Sequence, residues 1–521
     1  MGKSVISHVI PRTYQDSVRL MRISEKLSNL DTIQRSFVAM GTDANKRVLE
    51  QIDLLTDAVN EAGANDLIFV IEADSKDAAK GALVQAEALL AESEKKTNSG
   101  SKMEVLPKTF EQAYKTFSDA NMLFVSVPGP YAALEASKAL NANMNVMLFS
   151  DNVSLEDELS LKKLATEKGL LLMGPGCGTA VINGIALGFA NVLNRGPVGI
   201  VGASGTGLQE LTTLLDRGGV GVSQVIGVGG RDLSDTIGGI MMKKGISLLS
   251  SDPATELIVL ISKPPAIAVT QTILKDVLSS GKPVVVNFLG EDEAREQDGI
   301  LFTETIEDTA EAVLSLIHEN SGPFLATNSD TLIKMANNER EQLADGQKYI
   351  RGLFAGGSLC DEAIDVLRKY FQGVYSNVSV SKKWALNNGR ISKKHSCIDM
   401  GEEEFTQSRP HPMIDPSLRQ DRILMEATDP SVAVILLDIV IGYGAHDNPT
   451  ASLAKIIRQA KAEAAANKRY LSVVTHVCGS EKDPQGLRRQ EESLCNAGAL
   501  VLPTNAQAAK IAAAIVGAEL N

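Results

Sequence analysis

The chain is poor in the residues that mark several specialised chemistries. Its 521 residues include one Trp, five Cys and six His, with aromatics at 4%. The cysteines, Cys177, Cys360, Cys397, Cys478 and Cys495, are scattered and odd in number, and no Cys-x-x-Cys pair occurs. That pattern excludes a disulfide framework and a zinc ribbon. No carboxylate–histidine spacing points to a metal. No basic tract is present. With Lys+Arg at 51 against Asp+Glu at 64, the net charge of −13 opposes nucleic acid as a partner. No apolar run reaches membrane-spanning length, and the first residues lack the apolar stretch of a secretory signal. These absences predict a cytoplasmic protein without membrane or nucleic-acid partners, acting on small molecules.

What is present is an alternation of strand-like and helical runs along nearly the whole length, which predicts α/β layers with mainly parallel sheets. Four segments stand out. Residues 1–98 read as a small α/β domain, with strands near Ser4–Ile10, Ser36–Met40 and Asp66–Glu72. The polar run Glu92–Lys102 reads as a linker. Residues 105–192 hold strands near Met122–Val127, Asn145–Phe149 and Leu170–Met173. Residues 195–325 and 346–521 each open on a strand, a glycine turn and a helix, as distant internal repeats would. Residues 375–425 are the least regular part.

The most informative stretch is Pro197-Val-Gly-Ile-Val-Gly-Ala-Ser-Gly-Thr-Gly-Leu-Gln-Glu210. An apolar strand ends in closely spaced glycines with Ser204 and Thr206 among them, and an amphipathic helix follows at once. Such a turn aims unpaired N–H groups and the positive end of a helix dipole at one spot, a natural seat for phosphate. The spacing Gly-x-x-Gly-x-Gly is neither the dinucleotide fingerprint nor the P-loop. Further turns follow strands at Pro128-Gly129-Pro130, Gly174-Pro-Gly-Cys-Gly-Thr179, Gly227-Val-Gly-Gly-Arg-Asp232 and Gly442-Tyr-Gly-Ala-His446. In open parallel sheets, ligands gather at such strand ends.

These residues carry a resemblance. Residues about 120–320 resemble the α subunit of succinyl-CoA synthetase and related NDP-forming acyl-CoA synthetases, in Gly174-Pro-Gly-Cys-Gly178, Gly202-Ala-Ser-Gly-Thr206, Glu210, Gly227–Asp232 and Lys282-Pro-Val-Val285. The fourth segment resembles the second ligase domain of those enzymes. The match is closest to the FdrA family, through Asp16-Ser-Val18, Met40-Gly-Thr-Asp-Ala-Asn45, Phe149-Ser-Asp-Asn-Val153, Gly229-Gly-Arg-Asp-Leu-Ser234, Arg409-Pro-His-Pro-Met-Ile-Asp415 and Asp438-Ile-Val-Ile-Gly442. The resemblance implies a Rossmann-like CoA-binding domain (105–192) followed by two flavodoxin-like ligase domains of doubly wound parallel sheet (195–325 and 346–521). It also implies a role as one subunit of an oxamate carbamoyltransferase in allantoin and oxalurate breakdown, completed by partner subunits. A homo-oligomer is compatible with it.

One departure matters. The synthetases pass phosphoryl through a histidine just after the Lys-Pro-Val-Val strand. Here Phe288-Leu-Gly-Glu-Asp-Glu-Ala-Arg-Glu-Gln-Asp-Gly299 has no histidine, and the chain carries no ATP-grasp segment. Phosphorolysis of oxalurate to oxamate and carbamoyl phosphate needs neither, so phosphate is expected as a substrate and no cofactor is required. CoA or a nucleotide enters only in an alternative reading as an acyl-CoA ligase subunit. A further alternative is a non-catalytic scaffold.

The expected phosphate site is two-sided, with Ser204, Gly205, Thr206 and Gly207 on one side and Gly442, Tyr443 and Gly444 on the other. Arg409 and His411, held extended by flanking prolines, are expected to clamp and polarise the carboxylate part of the substrate, against the alternative of a rigid solvated loop. His446 is expected to touch the same anion, against a role beside a helix capped by Asp447. Pro128, Gly129, Asn152, Pro175, Cys177 and Arg231 are expected to line a substrate or CoA pocket. The alternatives are a polar turn for Asn152, packing for Cys177, and an ion pair with Asp232 or Asp235 for Arg231. Lys263 reads more simply as a solvent-facing lysine, and His318 and His476 carry no expected role.

Overall fold

A computed structural model describes residues 4–13, 15, 17–28, 30, 32–52, 54–98, 107–290, 294–319, 323–379, 381–406 and 410–520. The chain divides into two compact units, Met1–Thr109 and Phe110–Asn521.

The first unit is a three-stranded sheet with the central strand Leu67–Ala73 between Ser4–Ile10 and Ile33–Met40, all antiparallel. The expectation of parallel pairing fails here because each strand returns on its neighbour. Helices Ser17–Ser28 and Lys76–Asn98 pack on it through Leu20, Ile23, Leu27, Ala79, Ala82 and Ala86. The latter helix runs through most of the expected linker. Its Glu and Lys residues are good helix formers, which the polar composition masked.

The second unit holds three sheets among the described residues. A small parallel one orders Met122–Val125, Asn145–Leu148 and Leu172–Met173. An eight-stranded sheet contains, in spatial order, Val222–Gly227, Arg195–Ala203, Leu257–Ser262, Val284–Phe288 and Ile300–Phe302, all parallel. Numbered along the chain, that order is 2-1-3-4-5. A five-stranded parallel sheet orders Ser396–Asp399, Tyr349–Phe354, Val432–Val440, Ser472–Cys478 and Leu500–Leu502, again 2-1-3-4-5. Both are flavodoxin-like, and both have their switch point between the first and third strands, where ligands collect.

Two hairpins widen the first of these sheets. Thr179–Ile182 and Ile185–Gly188 turn at Asn183-Gly184 and join its edge through Val181 against Val225. Arg295–Gln297 and Ile300–Phe302 turn at Asp298-Gly299. Residues 179–188 therefore belong to the sheet of the following segment.

Between the two large sheets lies a layer of helices: Gly205–Arg217 and Ile306–His318 from one repeat, Gly357–Arg368 and Asn505–Ile515 from the other. Leu208, Leu211, Leu214, Ala310, Val313, Leu359, Ala363, Leu367, Ala509 and Ala512 form one continuous core there. Each fully buried leucine contributes about 2 kcal/mol by removal from water. The alanines of Asn505–Ile515 let the helices approach closely. This shared core fixes where the starts of the Gly205 and Gly357 helices meet.

Candidate functional site

The strand Arg195–Ala203 stops at Ser204, whose extended backbone starts the helix Gly205–Arg217 without a side-chain cap. The strand Tyr349–Phe354 likewise leads through Ala355 and Gly356 into Gly357–Arg368, again without a side-chain cap. The two starts meet. Ser204 Oγ lies 2.6 Å from Ser358 Oγ, and Ser358 N–H donates to Thr206 Oγ1 at 3.2 Å. Ser204 is buried, as is Gly207 packed on its hydroxyl, while Gly205, Thr206 and Gly357 keep partial access to solvent. Two helix starts and two hydroxyls thus converge on one region.

Some other helix starts in the same unit are filled by side chains, while those at Gly129, Ile267, Ser417, Pro449 and Leu487 also have no side-chain cap. Asp232 accepts from Met241 and Met242 N–H at 3.2 and 2.9 Å. Thr305 and Asp308 form a capping box at Ile306–His318.

The second turn is built from behind by carboxylates. Asp438, buried on strand Val432–Val440, accepts from Ala355 N–H (2.7 Å) and Gly356 N–H (2.6 Å) and pairs with Arg419 at 2.8 Å. Burial pushes its carboxyl up and the guanidinium pulls it down, leaving it raised. At the open side of the turn stand Asp399, which ends strand Ser396–Asp399, and Lys263, which follows strand Leu257–Ser262. Lys263 Nζ pairs with Asp361 Oδ2 at 2.8 Å. Burial lowers its affinity for the proton, but Asp361 and Asp399 more than offset this and hold it at about 12. Lys263 is therefore an ion-paired cation at this site, and with 39% of its side chain exposed it also faces solvent, as its sequence context implied.

The expected residues divide. Ser204, Gly205, Thr206 and Gly207 form a strand end and helix start, the local structure expected of them. The turn in contact with them is Gly356-Gly357-Ser358, which the sequence reading passed over although its strand–Gly–Gly–Ser–helix pattern carries the same signal. The N–H groups of Gly442 and Tyr443 are already used, donating to Gln485 Oε1 (3.1 Å) and Ala190 O (2.8 Å). Gly442 has φ 117°, which glycine tolerates, and Gly444 packs on Phe189. This turn docks on residues 188–191, and its bonded N–H groups are not those facing Ser204.

His446 N–H donates to Met413 O and its Nδ1 accepts from Asn448 N–H at 2.9 Å, which ties the loop together. Asn448, not Asp447, occupies the N-cap position of the following helix, and its side chain makes no capping hydrogen bond. His411 approaches the site: its Nε2 lies 2.6 Å and Asp399 Oδ1 3.1 Å from where a Cβ on Gly401 would sit. Burial and the Arg419 charge lower its pKa to about 4, so its ring is neutral near pH 7. Arg409 lies outside the described residues.

The expected pocket residues occupy a separate region. Pro128 precedes the helix Gly129–Asn141, and Gly129 packs against the backbone of Asp151 and Asn152. Asn152 holds a left-handed φ of 54° with its amide on Asp151, a polar turn. Pro175 follows a cis peptide bond. Cys177 precedes a strand rather than starting a helix; its buried thiol faces Thr179 O and Gly227 O, and burial pushes it up to about 12, so it packs rather than reacts. Arg231 pairs with Glu158 at 2.8 Å, not with Asp232 or Asp235, and donates to Val153 O. Lys162 is consumed by Glu158 and Asp232. The two cations beside these turns are thus ion-paired, Lys162 buried and Arg231 exposed.

Buried acids stand behind the two helix starts: Glu210, part of the resemblance, and Glu362, which sequence reasoning missed. Glu210 pairs with His476 at 2.8 Å and accepts from Asn505 N–H. Glu362, at the matching position of the other helix, accepts from Ile306 N–H (2.7 Å) and Asn505 Nδ2 (2.7 Å). His318 is a surface residue that touches Gly218 O, as its sequence context implied.

Comparison with known proteins fits this architecture. Residues 3–106 match a domain described as "AllF, heavy metal-associated domain", residues 194–290 a CoA binding domain and residues 353–515 a CoA-ligase domain. The CoA-binding match thus falls on the sheet that opens at Arg195. Residues 3–106 contain no cysteine and a single histidine, His8, so the thiolates that suit a soft heavy metal are missing. Among the described residues no cluster of three metal-ligating side chains occurs, and no helix is long and apolar enough to cross a membrane.

The mitochondrial succinate–CoA ligase [ADP-forming] subunit alpha-2 of Trichomonas vaginalis is 32% identical over 181 residues, 33% of this chain and 57% of that one. The chain thus spans little more than half of that α subunit. A dinucleotide-forming acetyl-coenzyme A synthetase of Ca. Korarchaeum cryptofilum aligns over 79% of this chain and 83% of its own at 16% identity, with a TM-score of 0.28. The uncharacterised protein YahF of Escherichia coli (strain K12) is 45% identical over 493 residues, 94% of each chain. With that identity along nearly the whole of both chains, and with an AllF-type domain ahead of CoA-binding and CoA-ligase domains, the protein belongs to the FdrA family, AllF-like and related to the succinyl-CoA synthetases.

Proposed function

We propose that the chain is a subunit of a carbamoyltransferase that converts oxalurate and phosphate to oxamate and carbamoyl phosphate, with partner subunits completing the enzyme. The observation that carries this reading is the meeting of two helix starts without side-chain caps, through Ser204 and Ser358, at the switch points of both sheets. Such a seat holds phosphate beside a carbonyl and stabilises the charge that develops as it attacks. The absence of histidine from Phe288–Gly299 agrees with phosphate as a reactant rather than as a phosphoryl group in transit to a nucleotide. His411, neutral and beside the turn, is the group from the extended proline loop that meets substrate.

The test is phosphate-dependent consumption of oxalurate by the assembled complex, or the reverse reaction from carbamoyl phosphate and oxamate. Ser204→Ala is expected to raise the phosphate KM by about tenfold, the value of one lost hydrogen bond to a charged group, with an unchanged melting midpoint. An unaltered phosphate dependence would remove Ser204 from the site.

A second reading, an acyl-CoA ligase subunit, is favoured by the CoA binding domain match at 194–290. CoA-dependent nucleotide turnover with a succinate-like acid, and no reaction of oxalurate, would establish it.

A further inference from the structure

We propose that Asp399 is the proton-transferring carboxyl of this site, seated against the helix start at Gly357, with Lys263 as the cation that orients phosphate beside it. The proposal rests on the carbamoyltransferase reading above.

Three elements bring the groups together. Asp399 ends strand Ser396–Asp399, Gly357 opens its helix beside the neighbouring strand, and Lys263 comes from the other repeat, at the end of Leu257–Ser262. A Cβ on Gly357 would lie 2.6 Å from Asp399 Oδ2 and 3.8 Å from Lys263 Nζ. Glycine is therefore what lets the carboxylate approach the helix start this closely, with the ammonium beside it.

Asp399 is held firmly. Its N–H donates to Asn377 Oδ1 at 2.9 Å, its carbonyl accepts from Asn377 Nδ2 at 2.8 Å, and its Oδ1 accepts from Gly401 N–H at 2.8 Å. With both main-chain groups and Oδ1 engaged, Oδ2 is the atom directed over Gly357.

The charged and titratable groups around it are Lys263, Asp361 on the Gly357 helix, Glu402 just after the strand, and His411 from the proline loop. Burial dominates, at 3% exposure of the residue. It raises the carboxyl, Lys263 lowers it, and Glu402 and Asp361 raise it again, to about 7. Such a group holds and releases a proton at neutral pH, as a general acid or base must. His411, near 4, carries no extra proton there. The thiols of Cys360 and Cys397 are pushed up by burial and stay neutral.

The chemistry needs such a group. A phosphate oxygen attacks the carbamoyl carbon of oxalurate; the new C–O bond forms and the C–N bond to the oxamate part breaks. The departing nitrogen is a poor leaving group unless it takes a proton as it leaves. The Asp399 carboxyl gives that proton to the nitrogen, and the O–H of the attacking hydrogen phosphate returns one to the carboxylate. The balance closes with no further reactant.

The experiment compares wild type, Asp399→Asn and Asp399→Glu in the complex with its partner subunits, over pH 5–9. It uses oxalurate and, separately, 4-nitrophenyl carbamate, whose phenolate departs without a proton. For Asp399→Asn the expected result is a fall in kcat on oxalurate of about 100-fold or more. The phosphate KM should stay within about twofold, in the range left by an unbroken hydrogen-bond set. The pH limb near 7 should vanish, and phosphate-dependent cleavage of the carbamate ester should be retained. Asp399→Glu should keep the limb at reduced rate. Equal loss on both substrates, or a limb that persists in Asp399→Asn, would overturn the role of Asp399 alone. A wild-type complex that leaves oxalurate untouched with phosphate present would overturn the functional reading and this proposal with it.

Discussion

The two repeats of the large unit, 195–318 and 349–515, share strand order and helix placement, yet the charges beside their turns differ. In the first, the turn starts with Ser204 and the third strand delivers a cation, Lys263. In the second, the turn starts with Gly356 and the third strand delivers a carboxylate, Asp438, that grips the turn from behind. The same contrast appears one helical turn deeper. Glu210 is pushed up by burial but brought below its usual range by His476, whereas Glu362 meets only amides and neighbouring acids and rises to about 8. A duplicated framework has thus been specialised: one half supplies cation and hydroxyl, the other supplies acids and the opened turn. An anion held between them meets unlike surroundings on its two sides, which an asymmetric transfer requires.

The largest expected effect of breaking this contrast comes from Asp438→Ala. It strips two N–H groups of their acceptor and leaves Arg419 buried without its partner, so chemical denaturation should show a loss of about 3–5 kcal/mol. A change below about 1 kcal/mol would mean that the second turn holds itself.

Glu362 comes next. Its carboxyl binds a proton more tightly in the folded chain than in the unfolded one, so the stability it confers is complete below about pH 4.5 and drains away as pH rises towards 8. Melting midpoints followed from pH 5 to 8 should fall in wild type, through a change on the order of a few kcal/mol. Glu362→Gln should flatten that slope; an identical slope would place the titration elsewhere.

Gly357→Ala sets a methyl group against Asp399 Oδ2 and should cost about 1–3 kcal/mol. It should raise the phosphate KM about tenfold, where the same change at Gly205, which faces open space, should do far less.

The smallest effect concerns the thiols. Cys177, Cys360, Cys397 and Cys478 are buried and Cys495 is exposed. A thiol reagent at pH 8 should label Cys495 in the native protein and leave phosphate kinetics unchanged. Rapid labelling of Cys177 would contradict its packed environment.

Much of this was readable in the residues. Alternating apolar runs located the parallel strands to within a few residues, and Gly202–Gly207 identified its own turn because hydroxyls sit between its glycines. The hairpin signals Asn183-Gly184 and Asp298-Gly299 were present but sat between stronger patterns. Strand Ser396–Asp399 escaped notice because four residues in a polar neighbourhood have no periodicity of their own; their burial comes from the sheet that receives them. Asp399, Lys263 and Gly357 lie far apart in sequence, and only the fold of both repeats brings them together. Gly442 was expected as the facing turn and Gly356 was passed over for a similar reason: a glycine turn shows that a close approach occurs, not what approaches. At Gly442 it is Ala190 and Asn191.

The crossed contacts behind the site have one more consequence. Glu210 of the first repeat accepts from the start of helix Asn505–Ile515 in the second, and Glu362 of the second accepts from the start of Ile306–His318 in the first. Each repeat therefore finishes a helix of the other, and neither is a complete folding unit alone. Cut in the turn at Gly346, the large unit would yield two fragments that stay incompletely folded apart and recover structure when mixed, as an obligate heterodimer does.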